Sequence, residues 1–149
     1  MRKVQIMIAI MVLGISLQSC KKFEDGGLVK KADKSIVNGW KLSTYLRNDV
    51  DETSLLYITN YMEQYNEDGS YERSYQSAGG DLISETGTYS FSSDNTTLNV
   101  SGVSSIGDFS EANSSVSSSS YTILKLNKDE YWYSYENGGD LHEFRLNLQ

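Results

Sequence analysis

Apolar and polar positions alternate with a period of two along most of this chain. Between 141 and 148, His142, Phe144, Leu146 and Leu148 fall on one face and Glu143, Arg145 and Asn147 on the other, the pattern of a half-buried strand. Gly87-Thr88-Tyr89-Ser90-Phe91 alternates as strictly. Tyrosine, threonine, serine and valine suit such strands, and they predict eight of them, over 40–46, 57–65, 71–75, 82–91, 96–101, 119–126, 130–135 and 141–148. Asn66-Glu67-Asp68-Gly69 carries the Asp-Gly signal of a tight hairpin, and Ser77-Ala78-Gly79-Gly80-Asp81, Ser92-Ser93-Asp94-Asn95, Asn127-Lys128-Asp129 and Asn137-Gly138-Gly139-Asp140 supply further turns. Short turns without crossover helices predict a meander that closes into a barrel or folds as a sandwich. One helical stretch precedes it, over 28–37, where Leu28, Val29, Ala32 and Ile36 share a face.

The faces assign a core. Leu98 and Val100 pair with Tyr89 and Phe91, Trp40 and Leu42 point together, and Tyr121 with Ile123 completes the interior. Three strands are ambiguous. Tyr57, Tyr61 and Tyr65 oppose only Ile58 and Met62, and Tyr131, Tyr133 and Tyr135 oppose Trp132. With the tyrosines inward, the interior is amphiphilic. The stretch 102–120 is low in complexity, with Ser114, Ser115, Ser117, Ser118, Ser119 and Ser120 nearly continuous. It reads as a long exposed loop, either a solvated connector or a lid, with Ile106 and Phe109 touching the barrel.

A different pattern occupies the N-terminus. Arg2 and Lys3 precede an apolar run from Val4 to Leu17, the length of a signal-peptide core and short of the roughly 20 residues of a spanning helix. The run ends in Leu17-Gln18-Ser19-Cys20, which resembles the lipobox of bacterial lipoproteins. That resemblance implies cleavage before Cys20 and lipidation of its thiol. It divides the chain into a signal peptide (1–19), a lipid-anchored flexible tether (20–27, ending in Gly26-Gly27) and a barrel domain (28–149). Two or three acyl chains would anchor Cys20 stably in a membrane. Lys21 following it implies the outer membrane as the destination. Lys21-Lys22-Phe23-Glu24-Asp25 loosely resembles the lysine-then-acidic export tether of Bacteroidetes lipoproteins, against the alternative of a plain solvated tether.

Composition narrows the function. The 149 residues carry a net charge of -7; without 1–19, which hold two basic and no acidic residues, 11 Lys and Arg face 20 Asp and Glu, a net charge of -9. Such a chain is repelled by a phosphate backbone, so no nucleic-acid partner is expected. Its one cysteine excludes an internal disulfide or a cysteine-rich zinc site, and its one histidine, His142, excludes a multi-histidine metal site. No metal and no cofactor are expected.

Four segments together resemble small lipocalin-like lipoproteins of the Bacteroidetes. They are Asn38-Gly39-Trp40-Lys41-Leu42-Ser43-Thr44-Tyr45 behind a short helix, Asn66-Glu67-Asp68-Gly69-Ser70-Tyr71, Gly87-Thr88-Tyr89-Ser90-Phe91, and Tyr121-Thr122-Ile123-Leu124-Lys125-Leu126. In order they span about 36–148. The resemblance implies an all-β, eight-stranded antiparallel up-and-down barrel with a short N-terminal helix. Gly39 and Trp40 are adjacent where lipocalins place one residue between them. The arginine that lipocalins pack on this tryptophan would be Arg145, which alternation puts on the outer face.

Catalytic motifs are nearly absent. Gly-x-Ser-x-Gly, the phosphate-binding Gly-x-x-x-x-Gly-Lys and Gly-x-Gly-x-x-Gly do not occur. His142 reads as a structural strand residue, and Asp49-Val50-Asp51-Glu52 as a solvated loop tip rather than a weak calcium site. Glu63, Glu72 and Glu85 are carboxylates that a glycosidase would need to pair across strands, with nothing fixing their separation. The expectation is a non-enzymatic protein. Trp40, Tyr61, Tyr71, Tyr89, Tyr121 and Tyr133 would line a cavity for a small amphiphilic or hydrophobic molecule. The alternative is a filled barrel whose outer surface meets another envelope protein or a polymer. The direction of the tyrosines discriminates the two.

Overall fold

The computed structural model describes residues 32–106 and 115–149; the signal peptide, Cys20, the tether and Phe109 lie outside the described residues. Helix α1 (Ala32–Ser35) leads into β1 (Gly39–Arg47), and the two-residue strand β2 (Val50–Asp51) folds back on the end of β1. A single 3-10 turn (Thr53–Leu55) precedes β3 (Thr59–Tyr65), β4 (Ser70–Gln76), β5 (Leu82–Phe91), β6 (Thr97–Ile106), β7 (Ser115–Leu126), β8 (Glu130–Asn137) and β9 (Asp140–Leu148). All pairings are antiparallel between neighbours, and β9 returns to β1 from Trp40↔Leu148 to Arg47↔His142. That return closes an eight-stranded up-and-down barrel of lipocalin-like architecture, with β2 as an appendage. Closure leaves few unpaired strand edges.

Period-two alternation sorts the side chains between interior and surface. Trp40, Tyr65, Leu98, Tyr131 and Leu146 are fully buried inside, and Tyr61, Tyr71, Val100, Tyr121, Ile123, Tyr133 and Phe144 nearly so. The ambiguous tyrosines therefore point inward, except Tyr57, which sits in the loop before β3 and is exposed. In β1 the register shifts between Leu42 and Thr44, so that Tyr45 rather than Thr44 enters the core opposite Phe144. One extra residue in a strand reverses the faces beyond it, which alternation in the sequence alone does not register.

The stretch 102–120 departs from expectation, because it is not one long exposed loop. Strand β6 continues to Ile106 and β7 begins at Ser115, with Val103↔Val116, Gly102↔Ser117 and Ser101↔Ser118 in register. Serine composition argues for a loop because it brings little apolar surface. Here pairing supplies the order, and the small side chains leave interior room for larger ones: Ser117 and Gly102 face Glu85 and Tyr71. The described helix ends at Ser35, two residues before the end expected for it over 28–37, and 28–31 lie outside the described residues.

At one end of the barrel, α1 and Ile36 pack beneath the interior. Ala32 and Ile36 are fully buried, and the Trp40 indole N–H donates to the Ile36 carbonyl at 2.8 Å. Arg145 stays on the outer face, as alternation requires, and stacks on Trp132 at 4.4 Å, with Lys125 over the same ring at 4.4 Å.

Gly87 and Gly102 face each other across β5 and β6. A Cβ at Gly87 would overlap the backbone of Ser101 and Gly102. We expect Gly87→Ala to destabilise the barrel by about 1–3 kcal/mol or more, because backbone cannot yield as a side chain does. Chemical denaturation measures it, and a loss under about 0.5 kcal/mol would contradict the close approach.

Candidate functional site

The interior is built around charge. Glu63, on β3, is fully buried and its carboxylate receives four donors. Oε1 accepts from the Tyr61 hydroxyl at 2.6 Å, the Tyr133 hydroxyl at 2.8 Å and Arg73 Nε at 3.1 Å; Oε2 accepts from the Tyr65 hydroxyl at 2.8 Å. Arg73, from β4, also donates to Glu85 Oε2 at 3.3 Å and to the Tyr121 hydroxyl at 3.1 Å. Glu85, from β5, accepts in addition from Tyr71 and, at 2.7 Å, from Ser117 Oγ. Registers Glu63↔Arg73 and Arg73↔Glu85 put the three charged groups in one row. Burying charge is costly unless it is paired and hydrogen-bonded, and here every carboxylate oxygen has a donor. Burial works against the Arg73 charge, yet Tyr61, Glu63, Tyr133 and Tyr121 around it outweigh that and hold its pKa well above the ordinary value.

Burial raises the hydroxyl pKa of Tyr61, Tyr65, Tyr131 and Tyr133 well above the usual value of 10.0, and Glu63 adds to the effect on each. They therefore remain neutral, and Tyr61, Tyr65 and Tyr133 keep donating to Glu63. A folded pKa raised above the unfolded one gives stability that is whole below about pH 10 and lost as pH rises through the folded value. We expect tyrosinate absorbance from these residues to appear only together with loss of near-ultraviolet circular dichroism. Ionisation of all tyrosines with the dichroism intact would refute it.

Of the residues singled out in sequence, Tyr61, Tyr71, Tyr121 and Tyr133 converge on this row. Aromatic rings pack tightly around it, Tyr121 on Tyr133 at 4.7 Å and Tyr133 on Phe144 at 5.3 Å. Trp40 and Tyr89 lie nearer the α1 end, where the Tyr89 hydroxyl donates to the Asn66 carbonyl at 2.8 Å. Glu63 and Glu85 meet through Arg73, whereas Glu72 is exposed on the outer face. In the acidic tip, Asp51 accepts from the Thr53 hydroxyl and amide, which lower its pKa, and Glu52 pairs with Arg47 at 2.9 Å. Among the described residues no group of three or more His, Cys, Asp or Glu is placed to hold a metal ion.

A groove lies at the end of the barrel opposite α1. Pairing of β7 with β8 stops at Thr122↔Ser134, although β7 extends back to Ser115 and β8 on to Asn137. The strands part there over a groove of about 390 Å³ lined by Ser119, Ser120, Tyr121, Tyr135, Glu136 and Asn137. Tyr135 stands on His142, with ring centroids 4.9 Å apart and planes at 10°. His142 Nδ1 is 2.7 Å from the Tyr45 hydroxyl. The reading of His142 as a structural residue agrees with this contact. Tyr135 is not among the site residues that the sequence singles out; its alternation with Tyr131 and Tyr133 places it inside, but nothing local marks where pairing ends. No family model matches the chain, and no curated protein matches it, so the chemistry of this groove rests on its geometry alone.

Proposed function

We propose that this protein is a lipoprotein of the cell envelope, held at the outer membrane through lipidated Cys20, whose barrel binds a small amphiphilic molecule without chemical turnover. The parting of β7 and β8 carries the reading, because it leaves a groove of about 390 Å³ between two tyrosines at the end opposite α1. That size falls within the roughly 300–1,000 Å³ of small-molecule sites. Tyrosine offers a broad apolar face and a hydroxyl, which suits a ligand of mixed character. Helix α1, the first described element, lies at the other end, so the groove faces away from where the chain enters the barrel.

The test is native mass spectrometry of the protein isolated from its own membranes. The expected result is a small adduct that disappears on denaturation, with an acylated N-terminus at Cys20. An unmodified N-terminus removes the anchor, and a bare mass with no thermal shift across an amphiphile panel removes the binding role.

A second reading, a protein- or polymer-interaction module with a filled barrel, is favoured by one observation. Val50, Leu55, Tyr57, Leu82, Val116 and Leu141 are all exposed toward the end opposite α1, and apolar side chains gathered in one region mark interaction surfaces. Truncating Leu55 and Tyr57 together would weaken partner capture on this reading and leave the adduct unchanged.

A further inference from the structure

We propose that the group recognised in the β7–β8 groove is a neutral, polyhydroxylated ring, a saccharide; this rests on the binding reading above and names its ligand class. Four observations on this groove converge. First, its lining is rich in hydrogen-bonding groups: Ser119, Ser120, Glu136 and Asn137 beside the two tyrosines. Among the described residues, the side chains of Ser119, Glu136 and Asn137 make no hydrogen bond, so their donors and acceptors are open to a ligand. Beyond Thr122↔Ser134 the facing edges of β7 and β8 are not paired with each other, which adds backbone amides and carbonyls to that set.

Second, the ring of Tyr135 is a half-buried platform backed by His142 and held by the tilted ring of Tyr121, centroids 5.7 Å apart. The C–H groups of a sugar ring pack against such an aromatic side chain while its hydroxyls reach sideways to polar groups. A carboxylate and an amide at the same rim, Glu136 and Asn137, are the acceptor and the two-way partner that vicinal hydroxyls require.

Third, charge argues against an anionic head group. The groove has no basic side chain in its lining. Arg47 at this end pairs with Glu52, and Asp49, Asp51, Asp81 and Asp140 stand near the same rim, with no matching excess of cations among the described residues. In the barrel behind it, Arg73 is shared between two carboxylates, Glu63 and Glu85. A phosphate, sulfate or fatty carboxylate would be repelled. Fourth, a purely hydrocarbon ligand would strip water from Ser119, Glu136 and Asn137 without replacing those hydrogen bonds, and buried groups left unpaired weaken binding.

The ring can arrive as a free oligosaccharide or as the head of a glycolipid. Saturation-transfer nuclear magnetic resonance and calorimetry on the protein isolated from its membranes, in lipid nanodiscs, separate the sources. The probes are maltotriose and chitotriose in solution, a galactosyl diacylglycerol placed in the nanodisc, and decanoate and decyltrimethylammonium as sugar-free amphiphiles. We expect at least one sugar probe to bind, with affinity reduced about tenfold or more by Tyr135→Ala. Glu136→Ala, an exposed position that leaves the core intact, should weaken the same probe and leave the melting temperature unchanged. Binding of a soluble sugar assigns a free saccharide, and binding of the galactolipid alone assigns a head group. If a sugar-free amphiphile binds in a Tyr135-dependent way and no sugar does, the saccharide assignment falls and the binding reading stands. If a sugar binds but neither substitution weakens it, the groove is the wrong site. If no probe binds, both fall.

Discussion

Glu63→Ala is expected to destabilise the barrel by about 3–5 kcal/mol, enough to consume much of the stability of a domain this size. The substitution removes one carboxylate and leaves four donors behind: the hydroxyls of Tyr61, Tyr65 and Tyr133 and the Nε of Arg73. All four sit where water does not reach freely, and among the described residues Arg73 would keep Glu85 as its one ionic partner. A buried charge that loses its partner costs far more than the pair contributed. Glu63→Gln keeps the shape and one acceptor oxygen, so its loss should be intermediate. The informative comparison is the double variant Glu63→Leu with Arg73→Leu. Removing both charges leaves Glu85 with the Tyr71 and Ser117 hydroxyls, and it should cost less than the sum of the two single losses. Guanidinium denaturation of the single and double variants measures this. A Glu63→Ala loss below about 1 kcal/mol would mean that the ion row does not organise the core.

Trp40→Ala carries the second large effect, about 3–5 kcal/mol. The indole is fully buried, meets Tyr131 edge-on at 5.7 Å, and is tied to α1 through its N–H on the Ile36 carbonyl. Truncation opens a cavity at that end and frees the carbonyl that fixes Ile36. Protection from hydrogen exchange between Ala32 and Trp40 should fall with it. Trp40→Phe keeps most of the ring and loses the hydrogen bond, so it should cost about 1 kcal/mol beyond the change in packing. Equal losses for Ala and Phe would show that the hydrogen bond, not the ring, holds the helix.

Alternation alone makes most of the barrel legible. The strand expected over 82–91 has the observed boundaries, and those over 40–46, 71–75 and 141–148 differ from the observed strands by one residue at one or both ends. The pairing of Leu98 and Val100 with Phe91 and Tyr89 is the observed register. These features are local. A strand with one buried face must repeat every two residues, and a tight turn must use residues that tolerate its backbone. The same rule puts Arg145 on the outer face, and it stands there on Trp132.

Other features have no local signal. Glu63, Arg73 and Glu85 are three charged residues on three strands, and each alone reads as solvent-facing. The sequence offers Glu63 and Glu85 as carboxylates of unknown separation, and nothing in it marks Arg73. Only the cross-strand registers turn all three inward and bring the tyrosine hydroxyls to them. The serine run misleads for a related reason: low apolar content predicts a loop when a segment must order itself, but β7 is ordered by β6 beside it.

What this sequence determined by itself was an all-β chain with inward and outward faces, because periodicity and turn chemistry act within a few residues of one another. What only the tertiary structure decided was how the faces close. The return of β9 to β1, the ion row at the centre and the early end of the β7–β8 ladder all depend on residues far apart in the chain. Their energies come from burial and pairing that exist only once the barrel has formed, so no stretch of sequence carries them alone.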